Sequence, residues 1–156
     1  MGEVLRLFLC PGHGEPMREF EEVVAVENKG LRDCVHGRPG SSRQVLLMDL
    51  ETLEEFGIAP GRARENITTR GIVLSTLPLG QRLRVGDAVL EVTKGCTPCH
   101  QMDEIREGLQ DAIRGRRGVL CRVIAGGRIR RGDSIAREQI AGGAQAGRTN
   151  SLSGVR

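Results

Sequence analysis

The stretch RLRVGDAVLEV, residues 82–92, alternates apolar and charged residues, reverses at a Gly-Asp pair and continues as a second apolar run. This pattern predicts a β-hairpin with a tight turn. The stretch RIRRGDSI, residues 128–135, repeats the arrangement Arg-x-Arg-x-Gly-Asp and predicts a second hairpin. Two matching hairpins favour a sheet that closes on itself, because closure removes exposed strand edges. We therefore expect a mostly β fold, with a barrel-like antiparallel sheet and a few short helices.

The composition supports a turn-rich β protein. Glycine accounts for 22 of the 156 residues, about twice its average frequency. The chain has three Phe and no Trp or Tyr, so a surface that stacks nucleic-acid bases is not expected. Without a long apolar run or a signal-peptide pattern, we expect a cytoplasmic protein with no membrane contact. Its five cysteines are then expected to be free, metal-binding or catalytic rather than paired in disulfides.

Local patterns predict further elements on both sides of the hairpins. Glu3–Cys10 and Val45–Met48 carry the apolar spacing of strands. Asp49–Phe56 carries apolar residues at helical spacing and is followed by a glycine, so it predicts a short helix. Apolar residues at helical spacing from Met102 to Ile113 predict one amphipathic helix.

The order of these elements suggests one domain with two flanking segments. We expect an N-terminal strand and acidic segment in residues 1–22 and the domain itself in residues 23–137. From about residue 138 the composition changes to Gly, Ala, Gln, Ser, Thr and Asn. Residues 138–156 therefore predict a disordered tail.

Charge is distributed unevenly along the chain. Residues 114–137 contain eight arginines and a single acidic residue, whereas acidic residues predominate in residues 1–30. Arginine binds phosphate and carboxylate groups through its planar fork of donors. The basic segment is therefore consistent with an acidic partner, a phosphorylated cofactor or an ordinary solvated face. Nucleic acid is not expected as a partner, because no recognised binding motif accompanies the charge.

The segment GCTPCH, residues 95–100, joins a predicted strand to the predicted amphipathic helix. At a helix N-terminus, free backbone amides favour an anion, so the pKa of the Cys99 thiol is expected to be low. Cys96 and His100 are accessory candidates. A zinc site would need a second ligand pair, and a thioredoxin-like pair would need parallel βαβ flanks. A single functional thiolate at Cys99 and a purely structural strand-to-helix corner both remain open.

Several motifs in a fixed order resemble the MOSC domain, the family named after the C-terminal domain of molybdenum-cofactor sulfurases. The resemblance covers roughly residues 23–135 and implies a barrel-like, mostly β fold of the pyruvate-kinase type. The motifs are QVLL at 44–47, ENITTRG at 65–71, LGQRLRVGDAVLEV at 79–92, Pro98-Cys99, and RVIAGGRIRRGD at 122–133.

The resemblance also implies a set of site residues. Cys99 matches the cysteine that, in this family, either carries sulfur as a persulfide or coordinates molybdenum. Arg64, Asn66 and Thr68 fall in the motif that contacts the cofactor, with Arg64 suited to a terminal phosphate. His36 matches the histidine of an early Gly-Asp-x-His element. The sequence departs from that element, since Asp33 and Cys34 stand where Gly and Asp are expected.

The leading hypothesis is a stand-alone MOSC protein that binds molybdenum cofactor (molybdopterin) through Cys99. It would act as a sulfur carrier or as the molybdenum-bearing subunit of a reductase of N-hydroxylated compounds. The resemblance implies a cysteine desulfurase or electron-transfer proteins as partners. No pyridoxal phosphate site is expected, because neither Lys29 nor Lys94 lies in a recognisable setting for that cofactor. The alternative from another class is a non-catalytic binding module that presents the Arg-rich 114–137 face to an acidic partner.

Overall fold

A computed structural model describes residues 1–99 and 101–138. The predictions about His100 and about a disordered tail concern residues outside this description, except for Glu138. The strands are β1 Gly2–Leu9, β2 Arg18–Phe20, β3 Glu22–Val26, β4 Gly30–Leu31, β5 Val45–Asp49, β6 Ile67–Arg70, β7 Arg82–Val85, β8 Ala88–Gly95, β9 Val119–Ala125, β10 Gly127–Arg130 and β11 Ser134–Arg137. The α-helices are α1 Leu50–Glu55, α2 Gln101–Ile105 and α3 Leu109–Ala112, and a 3-10 turn covers Leu74–Thr76.

Seven strands close into a barrel in the order β11-β7-β8-β9-β5-β6-β1. The barrel closes where β1 pairs with β11 through Gly2 opposite Ile135 and Glu3 opposite Ser134. Strands β5 and β6 run parallel, and the other pairs of the barrel are antiparallel. This arrangement confirms the prediction of a mostly β, barrel-like fold. Residues 1–22 contribute β1 to the wall of that barrel.

The two predicted hairpins have different outcomes. The first is confirmed, because β7 and β8 pair antiparallel across their Gly-Asp turn. The second is wrong, because β10 pairs with β3 in a separate three-stranded sheet while β11 pairs with β7 and β1. The turn itself forms, and the Asp133 carboxylate accepts a hydrogen bond from the Arg130 amide at 2.7 Å. The Gly132 amide then donates to the Val4 carbonyl at 2.7 Å, which directs the chain onto β1.

Strand alternation separates two apolar clusters. In β7, Leu83 and Val85 are fully buried in the barrel while the intervening arginines are exposed. In β5, Leu47 belongs to the barrel cluster and its neighbour Met48 to a second cluster, since successive strand residues point to opposite faces. The second cluster packs the helices against the outside of the barrel and consists of Met48, Leu53, Ile58, Ala63, Met102, Leu109 and Ile113.

The helix prediction at α1 is confirmed, and the Asp49 carboxylate caps it by accepting the Thr52 amide at 3.1 Å. The single helix predicted from Met102 to Ile113 is wrong in its continuity. Gly108 adopts a φ of 85° and separates α2 from α3, because this left-handed conformation breaks the helical hydrogen-bond ladder. Among the described residues, no helix has the length and apolar character needed to cross a membrane.

Candidate functional site

A cleft of about 470 Å³ lies where several connections between strands meet. Its lining includes the candidate residues His36, Arg64, Asn66, Cys96 and Cys99. His36 lies between β4 and β5, Arg64 and Asn66 lie just before β6, and both cysteines lie between β8 and α2. The fold therefore brings together residues that the sequence marks as candidates in three separate segments.

Backbone hydrogen bonds hold the cysteine segment at the cleft. The Cys96 amide donates to the Gly118 carbonyl at 2.9 Å, and the Met102 amide donates to the Cys99 carbonyl at 2.9 Å. The first bond continues the pairing of β8 with β9, and the second bond is part of the turn that starts α2. Both thiols are thus attached to regular elements on either side.

The two cleft thiols have few competing contacts. Cys96 and Cys99 are half-buried. Within the part of the chain that the structure describes, their Sγ atoms make only long contacts of 3.8 Å, to the Thr97 carbonyl and to Gln101 Oε1 respectively. Cys121 is different, because it is fully buried in the barrel. Burial, with a smaller contribution from the Glu91 charge, raises the pKa of the Cys121 thiol to about 12. The cleft thiols are the ones that a ligand reaches.

Arg64 is held in a restricted conformation at the edge of the cleft. Its φ is 62°, a left-handed value that costs a non-glycine residue on the order of 1 kcal/mol. Its Nη2 atom donates to the Glu15 carbonyl and to Cys10 Sγ, each at 3.2 Å. These bonds use one nitrogen of the guanidinium and leave the rest of its donor fork for a ligand.

Asn66 organises the base of the cleft. Its Oδ1 atom accepts the Leu46 amide at 3.0 Å, and its Nδ2 atom donates to the Phe8 carbonyl at 3.2 Å and to Cys34 Sγ at 3.4 Å. The side chain therefore joins β5, β1 and the loop after β4. It lines the cleft, but its amide is committed to the protein, so we assign it a positioning role.

The expectation that Thr68 contacts the cofactor is not supported by its placement. Thr68 is completely buried and is absent from the lining of the cleft. Its hydroxyl donates to Glu65 Oε2 at 2.7 Å, and the same oxygen accepts the Gly61 amide at 3.0 Å. Because Thr68 and Gly61 both bond to the carboxylate of Glu65, which follows Arg64, Thr68 stabilises the turn that carries Arg64.

Cys34 and His36 form a pair at the cleft that departs from the expected Asp and His. Burial raises the pKa of the Cys34 thiol, but this effect is outweighed by hydrogen bonds from the His36 side chain and from the Cys10 and His36 amides. The charge of His36 adds to them, and together they lower the pKa to about 7. Cys34 is buried while His36 lines the cleft. A partly ionised thiol thus takes the position of the expected carboxylate.

The cleft is strongly basic, because no Asp or Glu of the described residues lines it. None of its four arginines forms an ion pair with another described residue. The arrangement therefore favours an anionic ligand. The basic and imidazole side chains of the lining are His13, His36, Arg38, Arg43, Arg64 and Arg117.

The cleft arginines that the sequence did not single out are Arg38, Arg43 and Arg117. Arg38 and Arg43 lie in the Gly- and Pro-rich loop before β5, where the only signal was the length of the loop. Arg117 lies in the basic 114–137 segment, and nothing local distinguishes it from the neighbouring arginines.

Most of the other arginines of the 114–137 segment are neutralised on the surface. Six of its eight arginines form ion pairs with carboxylates, including Arg128 and Arg130 with Glu22 and Arg131 with Glu21. A segment that is paired in this way offers little free charge to an acidic partner. No observation in the described residues favours the alternative binding-module function.

A second cleft of about 410 Å³ lies beside α1 and is lined by Thr52, Ile72, Leu74 and Arg116 among others. It contains no cysteine or histidine, and Arg116 is already paired with Glu55 at 2.7 Å. The basic cleft with its two thiols is therefore the candidate functional site.

The MOSC domain family matches residues 35–136, which is more than half of the chain. The chain belongs to the MOSC domain family. The matched residues of this MOSC protein run from the loop after β4 to β11 and include Arg64, Asn66 and Cys99. Comparison with curated protein sequences gives no match.

Solved structures with the same fold include three bacterial proteins. The YuaD protein of Bacillus subtilis superposes with a TM-score of 0.73 and 18% identity, covering 86% of this chain and 94% of that one. YiiM from Geobacillus stearothermophilus gives a TM-score of 0.72 and 17% identity, covering 89% and 76%. YiiM from Escherichia coli gives 0.66 and 20%, covering 89% and 70%. At these identities the similarity establishes the fold of the MOSC protein.

The donor set of the cleft limits the kinds of metal that it suits. Among the described residues, no group of three or more His, Cys, Asp or Glu side chains is arranged to hold a metal ion. A structural zinc site needs four protein ligands, and no such set is formed by these residues. A metal at Cys99 would take its other ligands from a cofactor, and the unpaired arginines fit the negative charge of a phosphorylated cofactor. The residues of the cleft therefore fit the molybdenum cofactor associated with the family.

Proposed function

We propose that this MOSC protein binds a molybdenum cofactor in the basic cleft and that Cys99 is its reactive thiol. The observation that carries the proposal is that Cys99 lines the same cleft as four arginines and no described carboxylate. A thiolate is a soft donor that suits molybdenum and sulfane sulfur. When bound, the cofactor supplies oxygen-atom transfer coupled to two-electron chemistry.

The chain's own residues divide the work of binding and chemistry. Arg64, Arg38 and Arg43 hold the phosphate of the cofactor through charge-assisted hydrogen bonds. Asn66 keeps the cleft in shape through its bonds to three neighbouring segments. Cys99 presents its sulfur to the bound group, and Cys96 is an accessory thiol on the same segment.

The proposal includes two alternative chemical roles for Cys99, and both use its thiolate. As a sulfur carrier, its Sγ attacks the outer sulfur of a persulfide on a cysteine desulfurase. The S–S bond of the donor breaks, the donor's thiolate leaves, and the sulfane sulfur remains on Cys99 without net oxidation. As a metal ligand, the thiolate binds molybdenum in a reductase that receives electrons from partner proteins.

Metal analysis and persulfide mass spectrometry test the proposal on protein purified from a host that makes the cofactor. We expect molybdenum or a persulfide in the wild type and neither in Cys99→Ser. Cys121→Ser is the matched control, because that thiol is buried and has a pKa of about 12. Persulfide found on Cys96 with Cys99 unmodified would reverse the assignment of the two thiols. Equal molybdenum and persulfide content in the wild type and Cys99→Ser would refute the role of Cys99.

A further inference from the structure

We propose that the buried guanidinium of Arg117 binds an oxyanion, such as the phosphate of a ligand or a metal oxyanion, in the cleft that holds Cys96 and Cys99. The inference rests on the proposed function only in taking this cleft as the ligand site. It adds a binding residue and specifies the charge of the ligand group that the residue meets.

The donors of Arg117 are only partly used by the protein. The side chain is buried, with 5% of its surface exposed, and lines the cleft. Its Nη2 atom donates to the Ala63 carbonyl, and its Nη1 atom lies 3.8 Å from the soft sulfur of Met48. Its Nε atom has no hydrogen-bond partner among the described residues. A buried donor without a partner is unfavourable, so the geometry points to a ligand atom that completes it.

The charge of Arg117 is also unmatched. No described carboxylate forms an ion pair with it. The carboxylate to consider is Glu65, which is buried in the turn next to Ala63. Its Oε2 atom accepts from Gly61 and Thr68, its Oε1 atom has no hydrogen-bond partner among the described residues, and it forms no ion pair with Arg117. Burying a cation without an anion is costly. An oxyanion in the cleft supplies both the missing charge and the missing acceptor.

The backbone next to Arg117 is fixed by contacts of Gly118 with β5 and with the cysteine segment. Gly118 has a φ of 98°, and a Cβ atom at this position would collide with the Leu47 carbonyl. The Gly118 carbonyl in turn accepts the Cys96 amide at 2.9 Å. The guanidinium is therefore carried by the same rigid junction that holds the thiol segment, and such rigidity favours a preorganised binding site.

Anion-dependent thermal stability tests the inference. Melting of the wild type, Arg117→Met and Arg18→Met is followed by circular dichroism in buffer without polyvalent anions. Phosphate or molybdate is then added at constant ionic strength. Arg18 is exposed on β2 and lies outside the cleft, so Arg18→Met removes the same charge elsewhere. We expect both anions or one of them to raise the Tm of the wild type and of Arg18→Met by several degrees. In Arg117→Met the apparent dissociation constant should rise about tenfold or more.

The outcomes separate the anion site from other roles of Arg117. A response to phosphate alone supports a phosphate subsite, and a response to molybdate alone supports a metal-oxyanion subsite. An unchanged anion response in Arg117→Met, or no response in the wild type, would overturn the inference. The inference would also be overturned if Arg117→Met loses stability in every buffer and the additional substitution Glu65→Gln restores it, because Arg117 would then serve to neutralise Glu65.

Two further variants keep the test independent of folding and of the proposed function. If Arg117→Met fails to fold, Arg117→Lys retains the charge but lacks the planar fork, and the same rise in dissociation constant is expected in weaker form. Cys99→Ser should keep the phosphate response of the wild type. Failure of the proposed function appears as equal molybdenum and persulfide content in wild type and Cys99→Ser, a readout that leaves the phosphate response unaffected.

Discussion

Replacing Cys34 by Ser should remove a pH dependence of stability that the wild type shows between pH 7 and pH 9. The folded protein lowers the pKa of this thiol from its ordinary value of 9.0 to about 7. In this window the unfolded chain keeps the proton that the folded chain has released, so the free energy of unfolding rises with pH. The gain is complete above about pH 9 and is lost as the pH falls through about 7.

The size of this effect follows from the two pKa values. A difference of two pKa units corresponds to about 3 kcal/mol as an upper limit. Cys34 is itself buried, but His36 lines the open cleft, so screening reduces the value. We expect the wild type to gain about 1–2 kcal/mol relative to Cys34→Ser between pH 7 and pH 9.

Urea denaturation under reducing conditions at several pH values measures this difference. Circular dichroism is the suitable signal, because the chain has no Trp or Tyr. Cys121→Ala is the matched control and should keep the rise, since the pKa of Cys121 is about 12 and that thiol titrates outside the window. His36→Gln should reduce the rise by removing the imidazole. Parallel pH profiles for the wild type and Cys34→Ser would refute the lowered pKa of Cys34.

Three further substitutions test the framework of the site by chemical denaturation. Gly118→Ala should cost more than about 2 kcal/mol, because the residue has a φ of 98° and its Cβ would collide with the Leu47 carbonyl; a loss below about 0.5 kcal/mol would contradict this close approach. Asn66→Ala should cost about 2–4 kcal/mol through the loss of three buried hydrogen bonds. An unchanged free energy of unfolding would show that the amide does not join these segments. Glu22→Gln should cost less than about 1 kcal/mol, and the loss should shrink in high salt because both of its ion pairs are exposed.

The parts of the fold that depend on neighbouring residues were predictable from the sequence. Alternation in residues 82–92 and the helical spacing of residues 49–56 reflect contacts within a few positions, and both predicted elements are confirmed. The second hairpin failed because a Gly-Asp turn determines that the chain reverses but not which strand it meets. The bond from Gly132 to Val4 joins residues at opposite ends of the chain, and no local pattern reports it.

The candidate site divides in the same way. His36, Arg64, Asn66 and Cys99 were recognised from motifs, and the fold brings them to one cleft. Thr68 belongs to the same motif but is buried. The sequence could not predict this, because a motif does not show which strand face meets solvent. The sequence does not distinguish Arg117 from the arginines around it. Its burial depends on packing against Met48 and Ala63, which lie in distant segments of the chain.

The fold pairs most arginines of the basic segment with carboxylates and leaves the arginines of the cleft unpaired. The acidic N-terminal region supplies Glu21 and Glu22, which pair with Arg128, Arg130 and Arg131. Other arginines of the basic segment pair with nearby carboxylates in the same manner. The described residues that line the cleft include no carboxylate, so its arginines keep their charge for a ligand. With a formal net charge of only +3, a basic cleft of this kind follows from where the acids are placed rather than from an excess of arginine over acid.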